Sequence, residues 1–126
     1  MLLQVVAWSL QALLAAFFVF HAVMFLFAPE PLVARMRDQG RWPPAIPTWF
    51  RRFIGVAELL GAIALIGPAA ARFLPWLTPL AAICLALVAV SATVYHLRRH
   101  EPPAPVPFAV LALAVFCLRW LVVPVH

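Results

Sequence analysis

Four ionisable side chains stand out within the apolar runs of this sequence: His21, Glu58, His96 and Arg119. If those runs lie in a bilayer, a charge inside them is costly, so such residues usually mark a binding site, a proton relay or a structural pair. Histidine and glutamate exchange protons, and arginine binds or polarises an oxygen. Any chemistry of the chain is therefore expected at these four residues and the polar side chains beside them.

Four apolar runs must position these residues. They cover residues 3–28, 50–66, 76–97 and 106–123, and most of the 13 prolines stand at their ends. A helix that crosses a bilayer needs about 20 apolar residues. Two of the connectors are short, so consecutive helices are expected to be antiparallel neighbours. The predicted fold is all-α: an integral membrane four-helix up-down-up-down bundle, with residues 1–126 as a single transmembrane domain.

Composition excludes a soluble domain. Of the 126 residues, 67% are hydrophobic and 10% charged, with a mean hydropathy of +1.05, too few charges to cover a soluble surface of this size. The net charge of +5 comes from arginines that mainly flank the runs. They form no groove-reading basic face, so we expect the lipid bilayer as partner and no nucleic acid.

The arginines also predict orientation. The first and third connectors carry seven of the nine, and the positive-inside rule then places both connectors in the cytoplasm and both termini outside. The chain is therefore expected in the cell membrane as a multi-pass protein. In the first connector, residues 31–39 are expected to form a short interfacial helix, with Leu32, Val33 and Met36 facing lipid. Trp42 and Trp49 should lie at head-group depth.

The ionisable residues fall at countable depths. His21 and Glu58 each lie about 10 Å from the cytoplasmic ends of their helices. His96 stands at the cytoplasmic end of the third helix, beside Tyr95, and Arg51 lies seven residues before Glu58 on the same helix face. We expect these five residues, together with Arg119, to form an intramembrane polar cluster.

Arg119 lies about 9 Å further along the membrane normal than Glu58. The long side chain of Arg119 is expected to reach either Glu58 or Gln11. Gln11 lies on the first helix at about the same depth as Arg119. Ala57 and Gly61 form a small-x-x-x-small pair that favours close helix packing beside Glu58.

Each candidate also has a structural interpretation. Glu58 with an arginine fixes helix register, and Arg51 anchors topology. His96 caps a helix end, and His21 donates to a backbone carbonyl. Tyr95 joins neighbouring helices.

Three segments resemble the DoxX-like family of small four-helix membrane proteins. The first is Arg52-Phe-Ile-Gly-Val-Ala-Glu-Leu-Leu-Gly-Ala-Ile-Ala-Leu-Ile-Gly-Pro68, which is similar to that family's second helix. Residues 75–82 and 92–101 resemble its third helix and exit, and a lone arginine late in the fourth helix matches Arg119. The resemblance covers residues 50–120. Family members often carry Gly and Lys near the end of helix one, where residues 20–24 here read Phe-His-Ala-Val-Met.

The resemblance implies a bacterial inner-membrane subunit or accessory protein of a redox-related complex, because the family is named for a subunit linked to thiosulfate:quinone oxidation. It makes Glu58, His96 and Arg119 the family-like positions. The leading hypothesis is a polar intramembrane pocket that binds a quinone or a similar lipophilic molecule, and whether the chain is itself an enzyme stays open.

Other functions remain alternatives. They are a stand-alone acid–base isomerase of a lipophilic substrate, an oligomeric transporter or channel, and an assembly protein without chemistry. Haem held by His21 and His96 has little support, since no haem motif is present, and the sequence predicts no metal site. Homo-oligomers and redox-complex partners are both compatible with the pattern.

Overall fold

The computed structural model describes residues 1–39, 47–101 and 105–124, and over these the chain is all-α without strands, as predicted. The helices are α1 (Leu2–Phe27), α2 (Glu30–Asp38), α3 (Thr48–Ala71), α4 (Leu77–Arg98) and α5 (Val106–Cys117), which a π-helical turn (Leu118–Val122) continues. Three of them, α1, α3 and α4, are long and apolar enough to cross a membrane, and Val106–Val122 is a shorter apolar segment.

Four helices share one core. Helix α1 packs on α3, α3 on α4, α4 on α5, and α5 returns to α1. Large side chains from all four meet in the centre, among them Leu14, Leu65, Leu85 and Val115. Many large apolar side chains are exposed on the outer surface, for example Phe20, Leu60, Leu87 and Val110. Exposure of such an apolar surface to water is unfavourable, whereas its contact with lipid acyl chains is not.

Helix α2 covers one end of this core. Its bounds are close to the predicted 31–39, but its apolar face does not face lipid as expected. Val33 is buried against Phe25, and Met36 packs beside it. Arg35 and Arg37 are exposed. Burial of the apolar face against α1 and α3 removes the same surface from water that lipid would have removed. Trp42 lies outside the described residues, and Trp49 is exposed at the start of α3.

Two helix ends differ from the sequence prediction. Helix α3 continues past Gly67-Pro68, where residues 50–66 were expected to end it, and stops at Ala71 before the left-handed Arg72 (φ 53°). A proline inside an apolar helix is tolerated when neighbouring groups satisfy the freed backbone. The fourth apolar run was expected to be one regular helix to residue 123, but it widens into the π-helical turn at Leu118.

Two glycines set the helix spacing. A Cβ at Gly55 would lie 2.8 Å from Leu26 Cγ and 3.3 Å from the Ala22 carbonyl oxygen of α1. A Cβ at Gly61 would lie 2.8 Å from Leu85 Cδ2 of α4. Ala57, which the sequence paired with Gly61, is exposed instead. The close approach of α1 and α3 is therefore at Gly55, one turn from Glu58.

Candidate functional site

A cavity of about 530 Å³ lies at the end of the bundle covered by α2. We call it the His–Glu cavity. All five helices and the connector after α4 contribute to it, and its walls are mainly apolar. Its polar lining comes from His21, Gln39, Glu58, His96 and Glu101. Three of the predicted cluster residues, on three different helices, are thus brought together with two polar residues that the prediction omitted.

The first polar pair joins α1 to α3. His21 Nδ1 lies 2.6 Å from Glu58 Oε2, and Glu58 is 2% exposed. The close helix approach at Gly55 places the two side chains within hydrogen-bond distance. The His21 ring lies between aromatic neighbours, with Phe25 at 4.3 Å and Phe17 at 6.0 Å between ring centroids. A buried carboxylate so paired avoids most of the cost of an isolated charge.

The second pair depends on how α4 ends. The Glu101 amide donates to the His96 carbonyl and the His100 amide to the Leu97 carbonyl, while His100 is left-handed (φ 57°). This is a Schellman motif, which reverses the chain direction after the helix. The reversal brings Glu101 Oε2 within 2.7 Å of His96 Nδ1.

Arg99 completes the second pair. Its Nε donates to Glu101 Oε1 at 3.0 Å. The hydrogen bonds from Arg99 and then from His96 hold the pKa of Glu101 below its ordinary value, because both favour the ionised carboxylate. Glu101 is thus kept as an anion that orients the His96 ring.

Both histidines therefore use Nδ1 to contact a carboxylate. This arrangement fixes the ring orientation and leaves Nε2 for another partner. Each pair combines an imidazole with a carboxyl group, and both of these group types serve as acids and bases in proteins. The cavity thus offers two proton-exchanging groups to a molecule bound in it. Within the described part of the chain, no three His, Cys, Asp or Glu side chains are close enough to hold a metal ion.

Arg119 does not join this cluster. Its Nε donates to Gln11 Oε1 at 2.8 Å, and its Nη1 donates to Gln4 Oε1 at 2.9 Å and to the Val123 carbonyl at 3.3 Å. Gln11 and His21 are ten residues apart on α1, so the two polar sites are separated by about 15 Å. The sequence predicted Arg119 as a member of the polar cluster, with Gln11 as an alternative partner. Arg119 contacts Gln11 instead, because Gln11 lies at its own depth in the bundle.

The site around Arg119 also involves α3 and α4. Gln11 Nε2 donates to the Leu65 carbonyl, which Thr78 Oγ1 also contacts at 3.4 Å. Gln11 and Thr78 are fully buried. The Trp8 ring centroid lies 5.1 Å from Arg119 Cζ, within cation–π range.

Two further predicted cluster residues lie outside the cavity lining. Tyr95 packs edge-on against the ring of His96, with 5.6 Å between centroids, and the Arg99 guanidinium lies over the Tyr95 ring. The Tyr95 hydroxyl is buried without a hydrogen-bond partner among the described residues. Arg51 is half-buried near the start of α3.

Sequence reasoning did not include Glu101 or Gln39 in the cluster. Glu101 follows α4, and its return to His96 requires a left-handed residue at position 100. Glycine is the usual signal for that conformation, but a histidine stands there. Gln39 reaches the cavity because α2 packs on the bundle, which its short amphipathic pattern does not specify.

An apolar groove of about 570 Å³ adjoins the cavity on the outer face between α1 and α5. We call it the lateral groove. Phe17 and Phe108 line both spaces, and their rings stack with centroids 3.3 Å apart and planes 9° apart. The aromatic pair therefore stands at the boundary between the polar cavity and a surface suited to lipid.

Residues 9–118 match the DoxX-like family. The chain belongs to the DoxX-like family. The match confirms the resemblance stated above and extends it over most of α1, beyond the range 50–120 that carried it. No curated protein and no solved structure matches the chain. Family membership and the apolar helices together make this a membrane protein.

Proposed function

We propose that this DoxX-like protein is an integral membrane subunit or accessory protein that binds a quinone or a similar lipophilic molecule in the His–Glu cavity. The observation that carries the proposal is the pairing of two histidine–carboxylate groups inside one mainly apolar cavity. Its volume of about 530 Å³ falls in the range of small-molecule sites. Few convergent polar groups in an apolar wall are the usual composition of such sites.

The proposal includes a membrane arrangement. Helices α1, α3, α4 and α5 with its π-helical turn would cross the bilayer as an up-down-up-down bundle. The last of these, Val106–Val122, is about 26 Å long, close to the hydrocarbon thickness. The positive-inside rule, applied to the arginines near the α2 end, favours a cytoplasmic position for that end and its cavity, and an outside position for both termini.

The lateral groove supports a ligand with an apolar tail. A lipophilic molecule would enter from the bilayer between α1 and α5, with its polar oxygens toward the histidines and its tail along the groove. Passage requires the Phe17 and Phe108 rings to separate. The stacked pair contributes only about 1 kcal/mol beyond its buried area, so the free energy needed to separate the two rings is small.

The two pairs have different roles in this proposal. Glu101 lies beyond the end of α4, so the His96–Glu101 pair exchanges protons with water. The His21–Glu58 pair is deeper, and it donates a hydrogen bond or a proton to a ligand oxygen. Electrons for a redox reaction would come from a partner protein, in line with a redox-related membrane complex.

The proposal is tested by mass spectrometry of lipids that copurify with the protein. Wild type should retain a quinone-type molecule, and Glu58→Gln should lose it while keeping its helical circular dichroism. Arg52→Gln is the matched control, because Arg52 is exposed near the same end of α3. A non-redox carbonyl lipid in the extract would favour the acid–base isomerase instead. Equal retention by wild type and Glu58→Gln would contradict the proposed site.

A further inference from the structure

Arg119 is a buried cation without an acidic side chain beside it among the described residues. It is 3% exposed, and its hydrogen-bond acceptors are two glutamine side chains and a backbone carbonyl. All four acidic side chains of the chain fall within the described residues, and the ion pairs of Glu30, Glu58 and Glu101 involve other partners. A buried charge normally has a counter-ion, because neutral groups only partly replace its hydration.

The donors of Arg119 are also incompletely used. A guanidinium has five N–H donors, and three of them, on Nε and Nη1, contact Gln11, Gln4 and the Val123 carbonyl. Nη2 is buried and has no hydrogen-bond partner in the described part of the chain. Two N–H groups of a cation are therefore left for an acceptor that residues 1–39, 47–101 and 105–124 do not supply.

A pocket of about 230 Å³ lies against Arg119, and we call it the Arg119 pocket. Its remaining lining is Pro75, Trp76, Pro79, Trp120 and Pro124. The first turn of α4 borders it, and the positive end of a helix dipole favours an anion. Trp76 and Trp120 are about half exposed, as tryptophans at head-group depth usually are.

We propose that the Arg119 pocket binds an oxyanion of the phosphate type beside the guanidinium, and that Nη2 of Arg119 turns toward the anion and donates to its oxygens. The anion supplies both the missing charge and the missing acceptor. The π-helical turn that carries Arg119 fits this assignment, since such turns occur frequently at functional sites. The site is about 15 Å from the His21–Glu58 pair and shares no lining residue with the His–Glu cavity, so it does not depend on the function proposed for that cavity.

Two sources offer the same chemistry: the phosphate of an anionic lipid head group and a free phosphate ion. Thermal unfolding of the purified protein in detergent distinguishes them. One arm adds inorganic phosphate against sodium chloride at matched ionic strength. The other adds phosphatidylglycerol against phosphatidylcholine. A ligand that binds only the folded state raises the unfolding midpoint.

Two variants and one control make the assay specific. Arg119→Gln should weaken the apparent affinity for the stabilising anion by roughly 10- to 100-fold, the usual effect of losing a charged hydrogen bond. Gln4→Glu places a carboxylate beside Nη1 and should raise the midpoint without added anion and abolish the anion response. Arg72→Gln removes an exposed arginine and should keep the wild-type response.

Stabilisation by phosphatidylglycerol alone assigns the site to a lipid head group, and stabilisation by inorganic phosphate assigns it to a free ion. Either result supports the proposal when Gln4→Glu or Arg119→Gln abolishes it. The proposal is overturned if neither anion stabilises wild type, or if both variants respond as wild type does. Should Arg119→Gln fail to fold, Gln4→Glu decides alone, because it keeps the arginine and its contacts.

Discussion

The substitution Gly55→Ala tests whether close packing of α1 on α3 holds the site together. Alanine is favoured over glycine in a helix by about 1 kcal/mol. Here its Cβ would lie 2.8 Å from Leu26 Cγ and 3.3 Å from the Ala22 carbonyl oxygen. Overpacking of this kind costs about 1–3 kcal/mol, and a backbone oxygen cannot rotate away. We therefore expect a net loss of about 1 kcal/mol in the free energy of unfolding.

The control is Gly67→Ala in the same helix. Nothing lies within 4 Å of a Cβ built at Gly67, so the propensity gain has no opposing contact from another helix. Pro68 follows, and a Cβ before proline is disfavoured in a helix. Its effect should therefore fall between zero and about 1 kcal/mol of stabilisation. The free energies of unfolding of the two alanine variants should therefore differ by about 1–2 kcal/mol, with Gly55→Ala the less stable.

Unfolding in mixed micelles, followed by circular dichroism as denaturing detergent increases, measures both variants. The second readout is the amount of lipophilic molecule retained. If the methyl group added at position 55 displaces α1, the 2.6 Å contact between His21 and Glu58 lengthens. Gly55→Ala should then also retain less ligand, whereas Gly67→Ala should not. If Gly55→Ala is as stable as Gly67→Ala and binds normally, the close approach does not position the site.

Three further predictions concern the histidine–carboxylate pairs. His21→Leu should cost about 3 kcal/mol, because it leaves the buried Glu58 carboxyl without its partner. Glu58→Leu should cost less, because the His21 side chain that it leaves is 37% exposed; equal losses in detergent unfolding would refute this. His100→Gly should stabilise by about 1 kcal/mol, because residue 100 is left-handed, and a destabilised variant would show that the turn is not the one described. The pKa of Glu101 is lowered from 4.5, so its ionised form stabilises the fold above about pH 4.5, and this stabilisation is lost as the pH falls through the lowered pKa. Glu101→Gln should remove that part of the acid sensitivity of the unfolding midpoint, and an unchanged pH profile would contradict it.

The sequence predicted much of the fold because apolar length and proline punctuation specify where helices form. It also pointed to His21, Glu58 and His96, which line the His–Glu cavity, since ionisable residues inside apolar runs stand out. Depth along the membrane was not enough to decide the partner of Arg119. That partner depends on the face of α1 that carries Gln4 and Gln11, which seven-residue spacing puts together.

Other features required tertiary structure. The apolar face of α2 is equally compatible with lipid and with the bundle, and the buried Val33 shows that it packs on the bundle. Glu101 contacts His96 because His100 is left-handed, and a histidine at that position does not predict this conformation. The continuation of α3 past Pro68 depends on its surroundings, because proline alone predicts an end.

The most direct test of the central proposal is saturable binding of a short-chain benzoquinone to the purified protein. Ala92 lines the His–Glu cavity, so Ala92→Phe fills the space while leaving both histidine–carboxylate pairs in place. Ala57 is exposed on α3, and Ala57→Phe adds the same volume outside the cavity. We expect saturable binding by wild type and Ala57→Phe and its loss in Ala92→Phe. Unchanged binding by Ala92→Phe, or no saturable binding by wild type, would contradict it.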